Sequence, residues 1–314
     1  MDVRDTLWCE KYRPHKIDDC ILPDSVKKGF KKYVQDKDLS NNLLLCGTPG
    51  TGKTTIAKAL CEELGCDWLL INGSEESGID TLRTKIKSYA STVSLSGGRK
   101  IIIIDEADYM NANSLQPAMR GAIEEFSKNV SFIFTCNFKN RIMDAIQSRC
   151  SVIEFKLTGK EKAVMASRFL DRVKTILETE NVPYDEKVLA SFIMKYFPDY
   201  RKTLNELQRY ANAGEIDEGI LANLADVDVK ELCQYLKNKD FVAVKKWVVG
   251  NNDNDPTRIY RRIYDGLSSL LDPQSIPQAI VILAKYQYQN AFASDVELNF
   301  LACLVELMVE CSFK

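Results

Sequence analysis

Apolar and polar positions divide this chain into a first half of short apolar runs and a second half of helical spacing. The runs Leu43 to Cys46, Trp68 to Ile71, Ile101 to Ile104, Ser131 to Thr135 and Val152 to Phe155 predict five strands, with helical stretches between them. Strands alternating with helices predict an α/β fold with a parallel sheet. After Phe155 the strand signals stop, and Lys156-Leu157-Thr158-Gly159 reads as a link into helical sequence. Met165, Phe169, Val173 and Ile176 fall at i, i+4, i+8 and i+11, one face of an amphipathic helix. Further helices fit about Asp185 to Tyr196 and Arg201 to Ala213. A second boundary lies near Ala225-Asp226-Val227, and the remainder again has helical spacing. The expected division is therefore residues 1–157, 158–226 and 227–314. In the last helix Leu298, Leu301, Val305 and Met308 form one apolar stripe, and Phe300, Leu304, Leu307 and Cys311 form another. Only Asn299, Glu306 and Glu310 make a polar seam. Such a helix is deeply buried or packs against other chains, and the pattern leaves both open.

Composition narrows the class without naming a chemistry. The chain has 314 residues, 45% of them hydrophobic, which is ordinary for a folded globular protein of two or three domains. Its 42 basic and 44 acidic residues leave a net charge of -2, so any polyanion must be met by a local patch. The ten cysteines contain no CxxC pair and His15 is the sole histidine, which excludes a Cys/His metal cluster. Most of the cysteines stand among apolar neighbours, so they are expected to be free, buried thiols in a reducing cytosol. No apolar leader opens the sequence and no apolar run is long enough to span a bilayer.

Candidate chemistry begins at "LLLCGTPGTGKTTIAKAL". Gly47, Thr48, Pro49, Gly50, Thr51, Gly52, Lys53, Thr54 and Thr55 form a glycine-rich loop between a strand and a helix. Glycines let the loop wrap so that backbone N–H groups and the helix N-terminus face phosphates. Lys53 is placed to reach the β- and γ-phosphates of ATP and Thr54 to ligate Mg²⁺. In "IIIIDEAD", Asp105 ends an apolar strand where a carboxylate can hold the Mg²⁺ shell, and Glu106 can polarise the attacking water. The letters match the DEAD box of RNA helicases. A helicase of that type needs a second such sheet, and here the strands end at Phe155.

The order of motifs instead resembles AAA+ ATPases, and within them the sliding-clamp loaders. "WCEKYRPHKIDDCI" is similar to the stretch that these proteins fold around adenine, "IFTCN" to their sensor 1, "QSRC" to their Ser-Arg-Cys motif, and "PDYRKTLNELQRYA" to their sensor 2 helix. Beyond Ala211 the resemblance narrows to the clamp-loader large subunit of T4-like bacteriophages. It implies a five-stranded RecA-like ATPase module, a helical lid and an all-helical collar that oligomerises. Position by position, it implies that Lys11, Tyr12, Arg13 and Pro14 shape the adenine pocket. Asn137 would be sensor 1 and Arg201 sensor 2. Arg149 would be an arginine finger that enters a neighbour's site, where a planar cation suits the transferring phosphoryl group. Gln116 and Arg120 would bridge neighbouring modules, where the residues alone equally fit a solvated helix face, and Tyr109, Met110 and Leu115 would face the clamp, though as an isolated pattern they read as ordinary core.

Between Thr81 and Lys100 lie five basic residues, Arg83, Lys85, Lys87, Arg99 and Lys100, and no acid. Leu82, Ile86, Tyr89 and Val93 are the expected buried face of that helix, which leaves Arg83 and Lys87 exposed as candidate DNA contacts. Repeated along a duplex by several subunits, such a patch adds up. One departure is that Ser77-Gly78 stands where clamp loaders commonly carry a basic residue. The resemblance further implies a pentamer of this chain with a non-identical small subunit, acting on a sliding clamp and primer-template DNA in the host cytoplasm, with no membrane partner. Two rivals remain open: another AAA+ DNA machine, such as a helicase loader or branch-migration motor, and a scaffold subunit without turnover.

Overall fold

The run Ile101 to Ile104 is apolar without alternation because its strand is covered on both faces. In the computed structural model, which describes residues 6–75, 78–94, 98–212, 214, 216, 229–251, 256–290 and 292–314, Ile102 and Ile104 pack with Phe132, Phe134, Met119 and Ile123 on one side of a sheet. Ile101 and Ile103 pack with Leu43, Leu45, Ile56 and Leu60 on the other. A parallel sheet whose crossovers are helices produces this two-sided burial.

Helices α1 (Trp8–Lys11) and α2 (Asp24–Asp36) precede strand β1 (Asn42–Cys46). Then come α3 (Lys53–Leu64), β2 (Trp68–Asn72), α4 (Ile79–Ser91), β3 (Lys100–Asp105), a 3-10 turn at Ala107–Tyr109, α5 (Leu115–Glu125), β4 (Val130–Cys136), α6 (Asp144–Gln147) and β5 (Cys150–Glu154). The five strands lie in the order β2-β3-β4-β1-β5, every pair parallel. All five match the expected runs within two residues or so at each end. Because β1 sits between β4 and β5 while its crossover leads to the far edge, the chain reverses direction at the C-terminal end of β1. Such a switch point opens a crevice at the carboxyl ends of the strands. Cys46 of β1 stands opposite Cys136 of β4 there.

The expected link ends where Thr158 and Glu161 form a reciprocal capping box that starts α7 (Gly159–Thr179). Met165, Phe169, Val173 and Ile176 are its buried face, as the spacing required. Asp185 caps α8 (Glu186–Tyr196) and Asp199 caps α9 (Tyr200–Ala211); both carboxylates accept backbone N–H groups that a helix start leaves unpaired.

The chain forms two compact units, residues 1–221 and 222–314. The sheet and α7 to α9 belong to the first. The second holds α10 (Val229–Lys237), α11 (Phe241–Gly250), α12 (Pro256–Leu270), α13 (Ile276–Asn290) and α14 (Val296–Glu310), around a core that includes Leu232, Trp247, Tyr260, Leu283 and Phe300. In α14 the stripe of Phe300, Leu304, Leu307 and Cys311 is buried, whereas Leu298 of the other stripe is 63% exposed. Ala213, Ala225, Asp226 and Val227 lie outside the described residues. Among those described, no helix is long and apolar enough to cross a membrane, and all ten cysteines are free thiols.

Candidate functional site

Three turns at the carboxyl ends of β1, β3 and β4 build one end of a pocket. After β1 the phosphate loop wraps with Gly50 at φ 73 and Gly52 at φ 88, a left-handed backbone that favours glycine. At Gly50 there is a second demand, since a Cβ would come within 1.8 Å of the Asp199 carboxylate. Tyr200 N donates to the Gly50 carbonyl at 3.0 Å, so the start of α9 rests on the loop. Lys53 is 8% exposed, and its ammonium donates to the carbonyls of Gly47 (2.8 Å) and Thr48 (2.9 Å) and to Asn137 Oδ1 at 2.9 Å. Burial pushes its pKa below the ordinary lysine value, against the opposing pull of neighbouring groups that include Asp105 and Asp108.

After β3, Thr54 Oγ1 donates to Asp105 Oδ1 at 2.7 Å. Thr135 of β4 donates to the same oxygen, and its hydroxyl accepts the Glu106 N–H at 3.1 Å. Glu106 has φ 53 and ψ 42, a left-handed conformation that costs a non-glycine residue about 1–3 kcal/mol and concentrates at functional turns. Gly73 makes room for it. A Cβ there would meet the Glu106 carbonyl at 2.9 Å, and Gly73 N donates to the Asp105 carbonyl at 2.7 Å.

The rest of the pocket is assembled from distant segments and is largely apolar apart from three arginines. Tyr12, Arg13, Pro14, Cys9, Cys20, Ile21 and Leu22 from the N-terminal stretch face Phe169, Arg172 and Ile176 of α7 and Tyr200, Arg201 and Leu204 of α9. Arg172 donates to the Tyr12 carbonyl at 3.1 Å, Tyr200 Oη to the Ile21 carbonyl at 3.2 Å, and Gln208 bonds Trp8 N at 2.9 Å. Lys11 and Tyr12 both bond Glu180 at the end of α7. Burial pushes the Cys20 thiol up to about 12, which leaves it inert at neutral pH.

Most of the expected nucleotide residues thus line one pocket: Tyr12, Arg13, Pro14, Pro49, Gly50, Thr51, Gly52, Lys53, Thr54, Thr55, Asp105, Glu106, Asn137 and Arg201. Gly47 and Thr48 stand behind the lining as Lys53 acceptors. The Lys11 side chain is held in an ion pair with Glu180 at 2.6 Å, which leaves only its backbone to shape the pocket. Gln116 lies inside the fold. It is 1% exposed, donating to the carbonyls of Met110 (3.2 Å) and Arg141 (2.9 Å) and accepting Met143 N at 2.7 Å, so its polar atoms are spent inside the chain, while Arg120 is exposed. Met110 and Leu115 belong to the core and only Tyr109 of that trio is exposed. Arg149 is absent from the pocket lining; it pairs with Glu124 and donates to the Ala145 carbonyl at 2.7 Å.

In the basic stretch, Lys100 is buried and caps α4 through the Tyr89 and Thr92 carbonyls. Arg99 is spent on Ser127 and Ser131, and Val93, expected in the buried face, is 88% exposed. Arg83 and Lys87 remain exposed. Ser77 and the Leu82 side chain lie outside the described residues. Sequence reasoning missed Thr135, Asp199, Arg172 and Tyr200 as site residues, because each reads as an ordinary strand or helix position.

Comparison with known proteins decides the family. Residues 43–157 match the ATPase family associated with various cellular activities (AAA), and residues 161–222 match the sliding-clamp-loader large subunit, AAA+ ATPase lid domain. The sliding-clamp-loader large subunit of Escherichia phage RB69 is 33% identical over 309 residues, 97% of this chain and 96% of that one. That of Enterobacteria phage T4 is 34% identical over 319 residues, again 97% and 96%. The chain belongs to the sliding-clamp-loader large-subunit family. It is an AAA+ ATPase and binds nucleotide, which gives the pocket its ligand class. The replication factor C small subunit of Thermofilum pendens is also similar, 32% identical over 323 residues and 97% of each chain. A solved RuvB variant from Thermotoga maritima shares the fold at TM-score 0.56 and 16% identity, with 92% of this chain and 91% of that chain covered.

Proposed function

We propose that this clamp-loader subunit binds ATP in the pocket and, within an oligomer, holds and opens a ring-shaped DNA polymerase clamp, places it on primer-template DNA, and releases it on hydrolysis. The observation that carries this reading is the docking of α9 on the phosphate loop through Gly50, Asp199 and Tyr200. Nucleotide held by that loop is thereby read by the lid, and a lid that moves with nucleotide is what an ATP-driven assembly needs. Within the site Lys53 meets the β- and γ-phosphates, Asn137 the terminal phosphate, and Arg201 reaches it from the lid. Glu106 orients and deprotonates the attacking water, and the strained turn that Gly73 accommodates holds it in place. The adenine lies against the apolar end. Arg149 acts on a neighbouring subunit's ATP.

Thr54 and Asp105 are hard oxygen donors 2.7 Å apart, and they fit Mg²⁺, which takes few protein ligands beside phosphate and water. That ion would neutralise charge on the β- and γ-phosphate oxygens. Arg83 and Lys87 contact phosphates of the duplex, and the assembly contains further copies of this chain and a non-identical small subunit as a pentamer in the host cytoplasm.

The test is steady-state ATP turnover of the assembled loader with clamp, primed DNA, both or neither. Clamp and primed DNA together should give the largest rate, and replacing Arg83 and Lys87 should reduce its salt dependence. Equal stimulation by DNA alone would favour a DNA motor, and no turnover in any condition a scaffold.

A further inference from the structure

Asp108 is the one acid of "DEAD" that the nucleotide site described above leaves unused. It sits in the 3-10 turn Ala107–Tyr109 and is 5% exposed. Its Oδ2 accepts two consecutive backbone N–H groups, Asn137 at 3.2 Å and Phe138 at 3.1 Å. Its Oδ1 is buried and has no hydrogen-bond donor among the described residues. Burying half a carboxylate in this way is unfavourable, and a buried polar atom left without a partner calls for an explanation. A neutral acceptor would satisfy the same two N–H groups at lower cost. What the carboxylate adds is charge, which makes those hydrogen bonds stronger and more directional.

Those two N–H groups fix the turn that ends β4, and the first belongs to Asn137. The Asn137 carboxamide in turn accepts the Lys53 ammonium at 2.9 Å. A shift in the turn therefore becomes a shift of the carboxamide against the phosphate end of the pocket. We propose that Asp108 is the positioning residue for Asn137, holding the turn so that its carboxamide meets the terminal phosphate and the water that attacks it. Asp108 itself touches neither. The inference rests on the reading of Asn137 as the group that meets that phosphate.

A double-mutant cycle in the assembled loader tests it, with ATP affinity and kcat read separately. Asn137→Ala and Asp108→Ala should each lower kcat about 10²-fold, as a displaced catalytic group does, while ATP affinity changes by less than about twofold. Asp108→Asn keeps an acceptor but loses the charge, and should lower kcat about tenfold. Both Asp108 losses should vanish in the Asn137→Ala background. A folded Asp108 variant with the wild-type kcat, or one that keeps its loss when Asn137 is replaced, overturns the inference while leaving Asn137 in its role. A wild-type kcat for Asn137→Ala removes that role and the inference with it. Should Asp108→Ala fail to fold, the cycle with Asp108→Asn decides in the same way.

Discussion

At the phosphate end of the pocket Lys53, Thr54, Asp105, Glu106, Thr135 and Asn137 stand at or beside the carboxyl ends of β1, β3 and β4, whereas the base end is walled by segments far apart in the chain, braced by bonds that span up to 202 residues, as from Gln208 to Thr6. The first end is locked by neighbours in the chain and by strand register. Thr54, Asp105, Thr135 and Glu106 are joined in one hydrogen-bonded row, and a side chain moved there disturbs all of them. The second end is held by side chains such as Glu180 and Gln208 that lie partly in water. Single changes should therefore be close to all-or-none at the phosphate end and graded at the base end.

The largest effect tests whether the phosphate end is complete within one chain. Arg149 does not line the pocket, and its guanidinium is held by Glu124. Lys53→Ala assemblies lack a working phosphate loop and Arg149→Ala assemblies lack the finger, so each should lose about 10³-fold in turnover. Mixed assemblies should regain part of the rate, because an Arg149→Ala subunit can accept the finger of a Lys53→Ala neighbour. If mixtures verified by native mass are no faster than their parents, Arg149 serves the fold through Glu124, and the phosphate end needs nothing from outside.

Next in size is Glu106→Gln. The amide keeps the shape of the turn but cannot take a proton, so turnover should fall at least ~100-fold while ATP affinity stays near wild type. A wild-type rate in single-turnover measurements would reduce Glu106 to a strained turn residue and break the all-or-none description of this end.

How much of each end was legible in sequence follows from the same contrast. Gly47 to Thr55 and Asp105 could be read because strand, turn and helix are contiguous there, whereas Asn137 followed only from the resemblance of "IFTCN" to sensor 1. Four isoleucines running into Asp105 could be read as a strand covered on two sides. Phe169 and Ile176 were legible only as a buried helix face. Nothing in their spacing says that they close over an N-terminal segment more than 150 residues earlier. The partners of Lys11 and Gln116 were illegible for a related reason: a motif says which residue type is present, but Glu180 and the carbonyls of Met110 and Arg141 are brought near only by the fold. Lys100 read as part of a basic surface because charge counts do not see its stem buried against Tyr89, where its ammonium lies 4.7 Å from the ring centroid.

A smaller effect probes the joint between the two ends. Gly50 and Gly52 both have left-handed backbone, but a Cβ at Gly52 has no atom within 4 Å, whereas at Gly50 it meets Asp199. Gly52→Ala should cost about 1–2 kcal/mol from backbone strain alone. Gly50→Ala should cost more, and Asp199→Ala should recover most of the excess, the Asp199 Cα at 3.1 Å remaining, read as midpoints of urea unfolding. Equal costs at the two glycines would mean that the lid does not bear on the loop.

The smallest effect belongs to the base end, at Glu180. Hydrogen bonds from Lys11 and then Tyr12 hold its carboxyl below the ordinary glutamate range, and the Lys11 ammonium is correspondingly held above the ordinary lysine value by its bond to Glu180. A carboxylate whose folded pKa is depressed contributes stability above its unfolded value, near pH 4.3 or about that, and loses it as pH falls through the lower folded value. At neutral pH the clasp is therefore fully formed, and it opens only in acid. Glu180→Gln removes the charge at every pH. Because the Lys11 side chain is 44% exposed, solvent screens the pair, and ATP affinity at pH 7 should fall by less than about fivefold, with kcat unchanged. The wild-type advantage over Glu180→Gln should be flat at neutral pH and shrink only as pH falls through the depressed folded value of Glu180. Fluorescent-nucleotide titrations across that range provide the measurement. A loss of two orders of magnitude at pH 7 would show that the base end is as tightly coupled as the phosphate end, because an exposed ion pair by itself is too weak to produce it.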